Sequence, residues 1–356
     1  MKEDLFSPLA LAHGPAAKNR FVLAPLTNSQ SHADGRLSDD EFRWLTLRAR
    51  GGFGMVITCA AHVQRQGRSF HGQLGIWSDM HLPGLERLAQ ALRTEGTLAI
   101  VQLDHGGSRS PRELIGVDPQ APSHDEKTGA RALTIAETEA LAEDFIAAAL
   151  RAQQAGFDGI ELHGCYILAQ FLSSQANRRE DRYGGSPENR ARLVTDIIRG
   201  VRERCRPDFQ VGLRLAPGRY GPPTGEMLAF CERLMTSGML DWLNLHLTDL
   251  DVRPAEEEYQ GKRVIDWFAG VRRGRAKLGA AGGITSGQDA RWLLAQGFDF
   301  PVIGRAAVLH HDLPRKIAAD REFRAIAIPV TRAYLAAEGI GDAFIERMRK
   351  YDFVAD

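Results

Sequence analysis

The sequence predicts a (β/α)8 TIM barrel built as one domain over residues 1–356, and three observations carry that prediction. Short strand-like apolar runs alternate with helical stretches from end to end, the pattern of parallel βαβ units. Eight such runs occur with no linker-like or low-complexity tract between them, which favours one closed barrel over an open doubly wound sheet. The first strand–helix turn, Ala24-Pro25-Leu26-Thr27-Asn28, also lacks the G-x-G-x-x-G fingerprint expected of an open nucleotide-binding sheet.

In chain order the predicted strands cover residues 21–26, 55–58, 98–103, 159–163, 210–215, 242–247, 278–281 and 300–304. Between them the helical signal is clearest over residues 138–155, where Leu141, Phe145, Ala148, Ala149 and Ala152 recur at spacings of three and four before a stop at Gly156. Residues 188–204 and 287–296 show the same rhythm. Residues beyond a minimal barrel fall at 104–132, at 248–263 and in a tail from about residue 310. The first two insertions follow strands, which places them at the C-terminal rim where barrel active sites are built. The tail reads as helix, with Tyr334 and Leu335 in one stretch and Phe344, Ile345 and Met348 in another. It is free to cover the outside of the barrel or to reach a second copy in a homo-oligomer, and both stay open.

Forty-five basic and 45 acidic side chains sum to zero formal charge, which argues against a chain built to bind nucleic acid or acidic membranes. With 44% hydrophobic and 25% charged residues the composition is that of a soluble globular protein, not a disordered or fibrous one. Cys59, Cys165, Cys205 and Cys231 form no C-x-x-C pair, so neither a disulfide framework nor a metal cluster has its usual spacing. The first residues lack a continuous apolar run and nowhere do about 18 apolar residues follow one another, so the chain reads as cytoplasmic.

Glycine-bearing turns close the last two predicted strands, Ala281-Gly282-Gly283-Ile284-Thr285 and Val302-Ile303-Gly304-Arg305. Barrels bind phosphate there: glycine lets backbone N–H groups approach the oxygens, a following helix start adds a favourable dipole, and Arg305 offers a bidentate guanidinium. The glycines would serve equally well in tight turns alone. Thr27, Gln102, His163 and Arg214 stand at or near other strand ends. Gln102 and Arg214 are costly to bury unpaired, so either a polar ligand sits between them or neighbouring carboxylates and backbone satisfy them.

The run Asn177-Arg178-Arg179-Glu180-Asp181-Arg182-Tyr183-Gly184-Gly185-Ser186-Pro187-Glu188-Asn189-Arg190 resembles the N-x-R-x-D-x-Y-G-G-S-x-E-N-R stretch of the Old Yellow Enzyme family. Gly156-Phe157-Asp158-Gly159-Ile160-Glu161-Leu162-His163, Leu74-Gly75-Ile76-Trp77-Ser78-Asp79 and Gln102-Leu103-x-His105 follow the family's order and spacing, over about residues 5 to 310. The resemblance implies noncovalent FMN at the C-terminal mouth, reduced by NAD(P)H, passing hydride from N5 to an activated alkene. By position, Pro25 and Thr27 would lie along the isoalloxazine and Ala60 would pack against it. Gln102 and Arg214 would bind the pyrimidine edge, and Gly282, Gly283, Gly304 and Arg305 the phosphate.

On the substrate side the family pattern His-x-x-His/Asn-Gly-Tyr-Leu is two residues short here, as His163-Gly164-Cys165-Tyr166-Ile167-Leu168. His163 matches the first substrate-binding histidine. Tyr166 matches either the second donor or the proton-donating tyrosine, according to the side from which the run is aligned. His105 and His246 are the other candidates for the missing donor, His62 is a rim histidine without a clear place, and Ser29 stands near where some relatives carry a tyrosine. The tail is too short for the further domains of the larger relatives, which implies direct reduction by NAD(P)H. The altered clamp leaves alternatives: oxidation or demethylation of a small amine, reduction of a nitro group or quinone, or a flavin-binding protein with little alkene turnover.

Overall fold

The structure, a computed structural model, describes residues 4–218 and 220–355. Eight parallel strands close on one another: β1 (Val22–Leu23), β2 (Met55–Ile57), β3 (Leu98–Asp104), β4 (Gly159–Gly164), β5 (Gln210–Leu215), β6 (Trp242–His246), β7 (Lys277–Ala281) and β8 (Phe300–Ile303). Strand β1 pairs with both β2 and β8, which shuts the ring. All eight predicted strands are present, with β1 reduced to two residues and β3, β4 and β7 each one residue longer than predicted. A short additional strand, Ala61–His62, lies beside the end of β3.

Period-two alternation sorts the strand residues into two cores. Val22, Met55, Ile57, Leu98, Ile100, Phe300 and Val302 join Trp242 inside the barrel. Their neighbours Val56, Ala99, Val101, Ile160, Leu162, Val211, Leu213, Leu243 and Leu245 belong to the larger core shared with the surrounding helices. The Trp242 ring has room because Gly212 lacks a side chain: a Cβ there would fall 2.0 Å from the indole. Gly279 makes the same allowance for Phe300. Further along the same faces the residues turn polar, with Gln102 and Asp104 on β3, Glu161 and His163 on β4, Arg214 on β5, and Asn244 and His246 on β6. The barrel thus has an apolar floor and a polar mouth. Leu9 and Ala17, joined by an antiparallel bridge, pack into the floor, and Gln210 Nε2 donates to the carbonyls of His13 and Pro15 beneath it.

The outer ring includes α1 (Asp39–Arg50), α2 (Leu82–Thr94), α3 (Ile135–Gln154), α4 (Arg192–Arg204), α5 (Thr224–Thr236), α6 (Val264–Ala269) and α7 (Gly287–Ala295). Helix α3 starts three residues before the predicted Thr138 because Thr134 and Glu137 form a reciprocal capping box, each side chain accepting from the other's backbone N–H. The predicted helix 188–204 is broken at Ala191 into a single turn, Pro187–Arg190, and α4.

After β8 come α8 (Arg305–Leu309) and α9 (Leu313–Ala319), and the tail adds α10 (Arg332–Ala337) and α11 (Asp342–Arg349). The tail packs on its own barrel: Phe344 meets Trp44 of α1 edge-on at 5.1 Å, and the Tyr334 hydroxyl donates to the Leu309 carbonyl at 2.7 Å. A bridge between Val330 and Val354 then folds the last residues back over the mouth, a placement beyond the alternatives weighed from sequence. No helix of the described residues is long and apolar enough to cross a membrane.

Candidate active site

A cavity of about 730 Å³ opens at the C-terminal ends of the strands, within the range typical of small-molecule sites. Pro25 and Thr27 line it after β1, His163, Cys165 and Tyr166 at and after β4, Arg214 from β5 and His246 from β6. Gly282 and Gly283 follow β7, Gly304 and Arg305 follow β8, and Arg347 to Phe353 of the tail close the remaining side. Of the site residues expected from sequence, Ala60 and Gln102 are buried beneath this lining.

Gln102 meets a carboxylate. Its amide donates to Glu161 Oε1 at 2.8 Å, and Glu161 Oε2 accepts from Trp242 Nε1 and Asn244 Nδ2, each at 3.0 Å. Arg214 differs. It is 4% exposed, and its Nη1 is buried with no hydrogen-bond partner. Burial pulls the guanidinium below its ordinary value, and Glu161 opposes that fall. An unpaired buried donor costs about 1–3 kcal/mol, more when charged, so the wall at Arg214 calls for an acceptor from within the cavity.

On the opposite side, Gly283 has φ +74°, and a Cβ on it would stand 3.4 Å from Arg305 Nη2. A Cβ on Gly282 would come within 2.9 Å of the Leu250 backbone nitrogen. Arg305 is exposed and makes no hydrogen bond or ion pair among the described residues. Side-chain-free backbone beside an unengaged guanidinium suits a phosphate at one end of the cavity, and a buried arginine suits the acceptor edge of a ring at the other.

His163 and Tyr166 share the wall beside Arg214, ring centroids 4.9 Å apart and edge-on. Both lie against the cavity although the run joining them is short. The Nδ1–H of His163 donates to Asp104 Oδ1 at 2.9 Å, since a carboxylate can only accept. Burial opposes the charged ring, but the neighbouring Cys165 and the Asp104 carboxylate outweigh it and raise His163 from its ordinary value to about 10. Burial likewise raises the Tyr166 hydroxyl, keeping it protonated. Arg109 lies over Tyr220 at 4.8 Å and Tyr166 at 5.6 Å.

Of the other histidines considered for a second donor, His246 lines the cavity. His105 does not: it accepts from Gly107 N, pairs with Gln64 Oε1 at 3.1 Å, and is held neutral by burial, down at about 4. His62 is buried and lowered by desolvation to about 3. Sequence reasoning missed Asp104, Glu161, Tyr220 and the tail residues Arg347, Lys350 and Tyr351. Two signals were available, an acid two places after Gln102 and an acid two places before His163, each on the same strand face as its neighbour.

The run 177–190 lies outside the cavity. Asn177 Nδ2 donates to the carbonyls of Phe171 and Tyr183 at 2.7 Å, Arg190 Nε donates to Leu172 O at 3.0 Å and pairs with Glu226, and Arg179 Nη1 donates to Pro122 O at 3.0 Å. These bonds fix the segment that follows Tyr166.

A parallel barrel with glycine turns beside Arg305 and a buried arginine at its mouth is a frame that suits a flavin. The family model described as the NADH:flavin oxidoreductase / NADH oxidase family matches residues 4–323, and the chain belongs to that family. The protein is an NAD(P)H-dependent FMN oxidoreductase of Old Yellow Enzyme type. It is 33% identical over 332 residues to the probable NADH-dependent flavin oxidoreductase YqiG of Bacillus subtilis (strain 168), covering 90% of this chain and 89% of that one. It is 36% identical over 310 residues to an NADPH dehydrogenase of Geobacillus sp. (strain WCH70), covering 83% and 88%. Among solved structures, morphinone reductase in complex with tetrahydroNAD is similar at 26% identity and a TM-score of 0.80, covering 96% of this chain and 97% of that one.

Proposed function

We propose that the protein reduces an activated alkene, an α,β-unsaturated carbonyl or nitro compound, in the cavity over the barrel mouth. The observation that supports this reading most is the pair on one wall, an imidazole polarised by a buried carboxylate and a tyrosine hydroxyl kept protonated by burial. When bound, FMN supplies the two-electron relay from NAD(P)H to the β-carbon of the alkene. Arg214 binds its pyrimidine edge, and the fixed charge favours an electron-rich ring. Gly282, Gly283, Gly304 and Arg305 hold its phosphate, and Pro25 and Thr27 flank the ring system. Ala60 and Gln102 act from the layer below, Gln102 through Glu161.

His163 donates to the carbonyl or nitro oxygen of the substrate, where negative charge develops, and Tyr166 delivers a proton to the α-carbon. Removing such a donor typically costs about 10²-fold or more in rate. The test is turnover of a cyclic enone and a nitroalkene by the FMN-loaded protein, with the saturated product identified. His163→Ala is expected to lower kcat/KM about 10²-fold. Unchanged substrate affinity and turnover would remove His163 from the clamp.

A second reading keeps the flavin and changes the substrate to a nitro group, a quinone or a small amine. The shortened run after β4, with one histidine and no second histidine or asparagine, favours it, because those reactions need no two-donor carbonyl clamp. Product analysis separates the two: a saturated C–C bond in one case, a reduced nitrogen, hydroquinone or dealkylated amine in the other.

A further inference from the structure

Strand β3 ends in Asp104, the buried carboxylate that meets the His163 ring. We infer that Asp104 is a positioning residue for the reaction, its carboxylate orienting His163 so that one imidazole donor serves where two separate donors would otherwise be needed. The inference rests on the reading of His163 as the group that holds the substrate oxygen.

The register of the barrel sets the pair up. Gln102 is opposite Glu161 and Leu103 opposite Leu162, so the next rung brings Asp104 to His163 on the inward face. Below, a carboxamide meets a carboxylate at 2.8 Å; above, a carboxylate meets an imidazole at 2.9 Å. Asp104 is anchored as well as buried. Its second oxygen accepts from Ser69 Oγ at 3.2 Å and Gln73 Nε2 at 3.0 Å, and Gln73 Nε2 also reaches the Ala60 carbonyl at 3.1 Å. Rotating the carboxylate away from His163 breaks these bonds. With Nδ1–H committed to Asp104, the rest of the ring faces the Cys165 side chain and the cavity it lines.

The charged and titratable groups around the ring are Asp104 from β3, Arg214 from β5, His246 from β6, Cys165 and Tyr166 from its own segment, and Arg109 beyond Tyr166. Burial opposes the protonated ring, and Cys165 and then Asp104 favour it strongly enough to raise His163 to about 10. A charge-assisted donor is roughly twice as strong as a neutral one, which offsets the donor the shortened run lacks.

The test uses the FMN-loaded protein. Side-chain ¹⁵N NMR from about pH 6 to about pH 9, with His163→Gln assigning the signal, should find both ring nitrogens of His163 protonated throughout. In Asp104→Asn, which keeps shape and removes charge, the ring should lose its proton at a clearly lower pH than in the wild-type protein. Phenol titration of the oxidised protein gives the second readout. Wild-type affinity should rise with pH across that range, because an already protonated ring holds phenolate with release of the phenol proton, while Asp104→Asn should bind about tenfold more weakly, increasingly so as pH rises through the ordinary histidine range.

A neutral His163 in the wild-type protein beside a normal phenol charge-transfer band overturns the inference alone, and that measurement needs no variant to fold. An imidazolium that Asp104→Asn abolishes, in a protein where phenol raises no band, overturns the reading of the cavity and with it the role given to Asp104.

Discussion

Arg214 sits in the barrel interior, partly balanced by Glu161 and with one guanidinium nitrogen unpaired, an arrangement a fold tolerates when a ligand completes it. Arg214→Ala is therefore expected to weaken FMN binding by at least about tenfold and to lower the flavin potential, because the acceptor edge of the ring loses its charged donor. Fluorescence titration of apoprotein with FMN and a dye-equilibration potential check both; unchanged affinity would place the ring elsewhere. At this scale much of the site was legible in the sequence. Arg214, His163 and Arg305 are polar residues at strand ends, where a core alone has no use for them. Asp104 and Glu161 were passed over because an acid inside a strand announces itself only when the neighbouring strand's register is known. Gln102 shows the converse: a polar residue at the right place whose partner is protein.

Single elements decide how rigidly that wall stands. Gly212, between Glu161 and Trp242, is required by the indole lying 2.0 Å from where its Cβ would be. Gly212→Ala should cost about 1–3 kcal/mol by overpacking, and it should also disturb FMN binding, since Trp242 shares Glu161 with Gln102 and Asn244. Chemical denaturation and FMN titration on the same variant would show both effects. The tail makes a second case. Phe353 is 2% exposed while Tyr351 is 55% exposed, yet both line the cavity. Phe353→Ala is expected to cost about 3–5 kcal/mol and to unpin the segment from the mouth, whereas Tyr351→Ala changes the cavity wall with little loss of stability.

The strands and the capped helices were readable because their periodicities are local. The destination of the tail was not, since nothing in an amphipathic helix says which surface it will cover. The longest motif in the chain, residues 177–190, points to the family most clearly, and its bonds brace the site from outside it.

For the whole molecule, the histidines set opposite slopes of stability with pH. His163 is raised to about 10 in the fold, so its contribution is full below the unfolded value of about 6.5 and is lost as pH climbs toward 10. His62 and His105 are lowered to about 3 and about 4, so theirs is full above about 6.5 and is lost as pH falls toward those values. Thermal unfolding of the apoprotein should be most resistant near neutrality, with the alkaline slope flattened in His163→Gln and the acid slope flattened in His105→Gln. Identical profiles in all three proteins would detach those histidines from the titrations assigned to them.

Whether one cavity holds FMN and presents His163 to a substrate oxygen is read from a phenol titration of the oxidised protein followed by visible absorption. A yellow protein that develops a long-wavelength charge-transfer band, and loses that band in His163→Ala while staying yellow, is the predicted result. A yellow protein with no band, or with a band indifferent to His163, would contradict it.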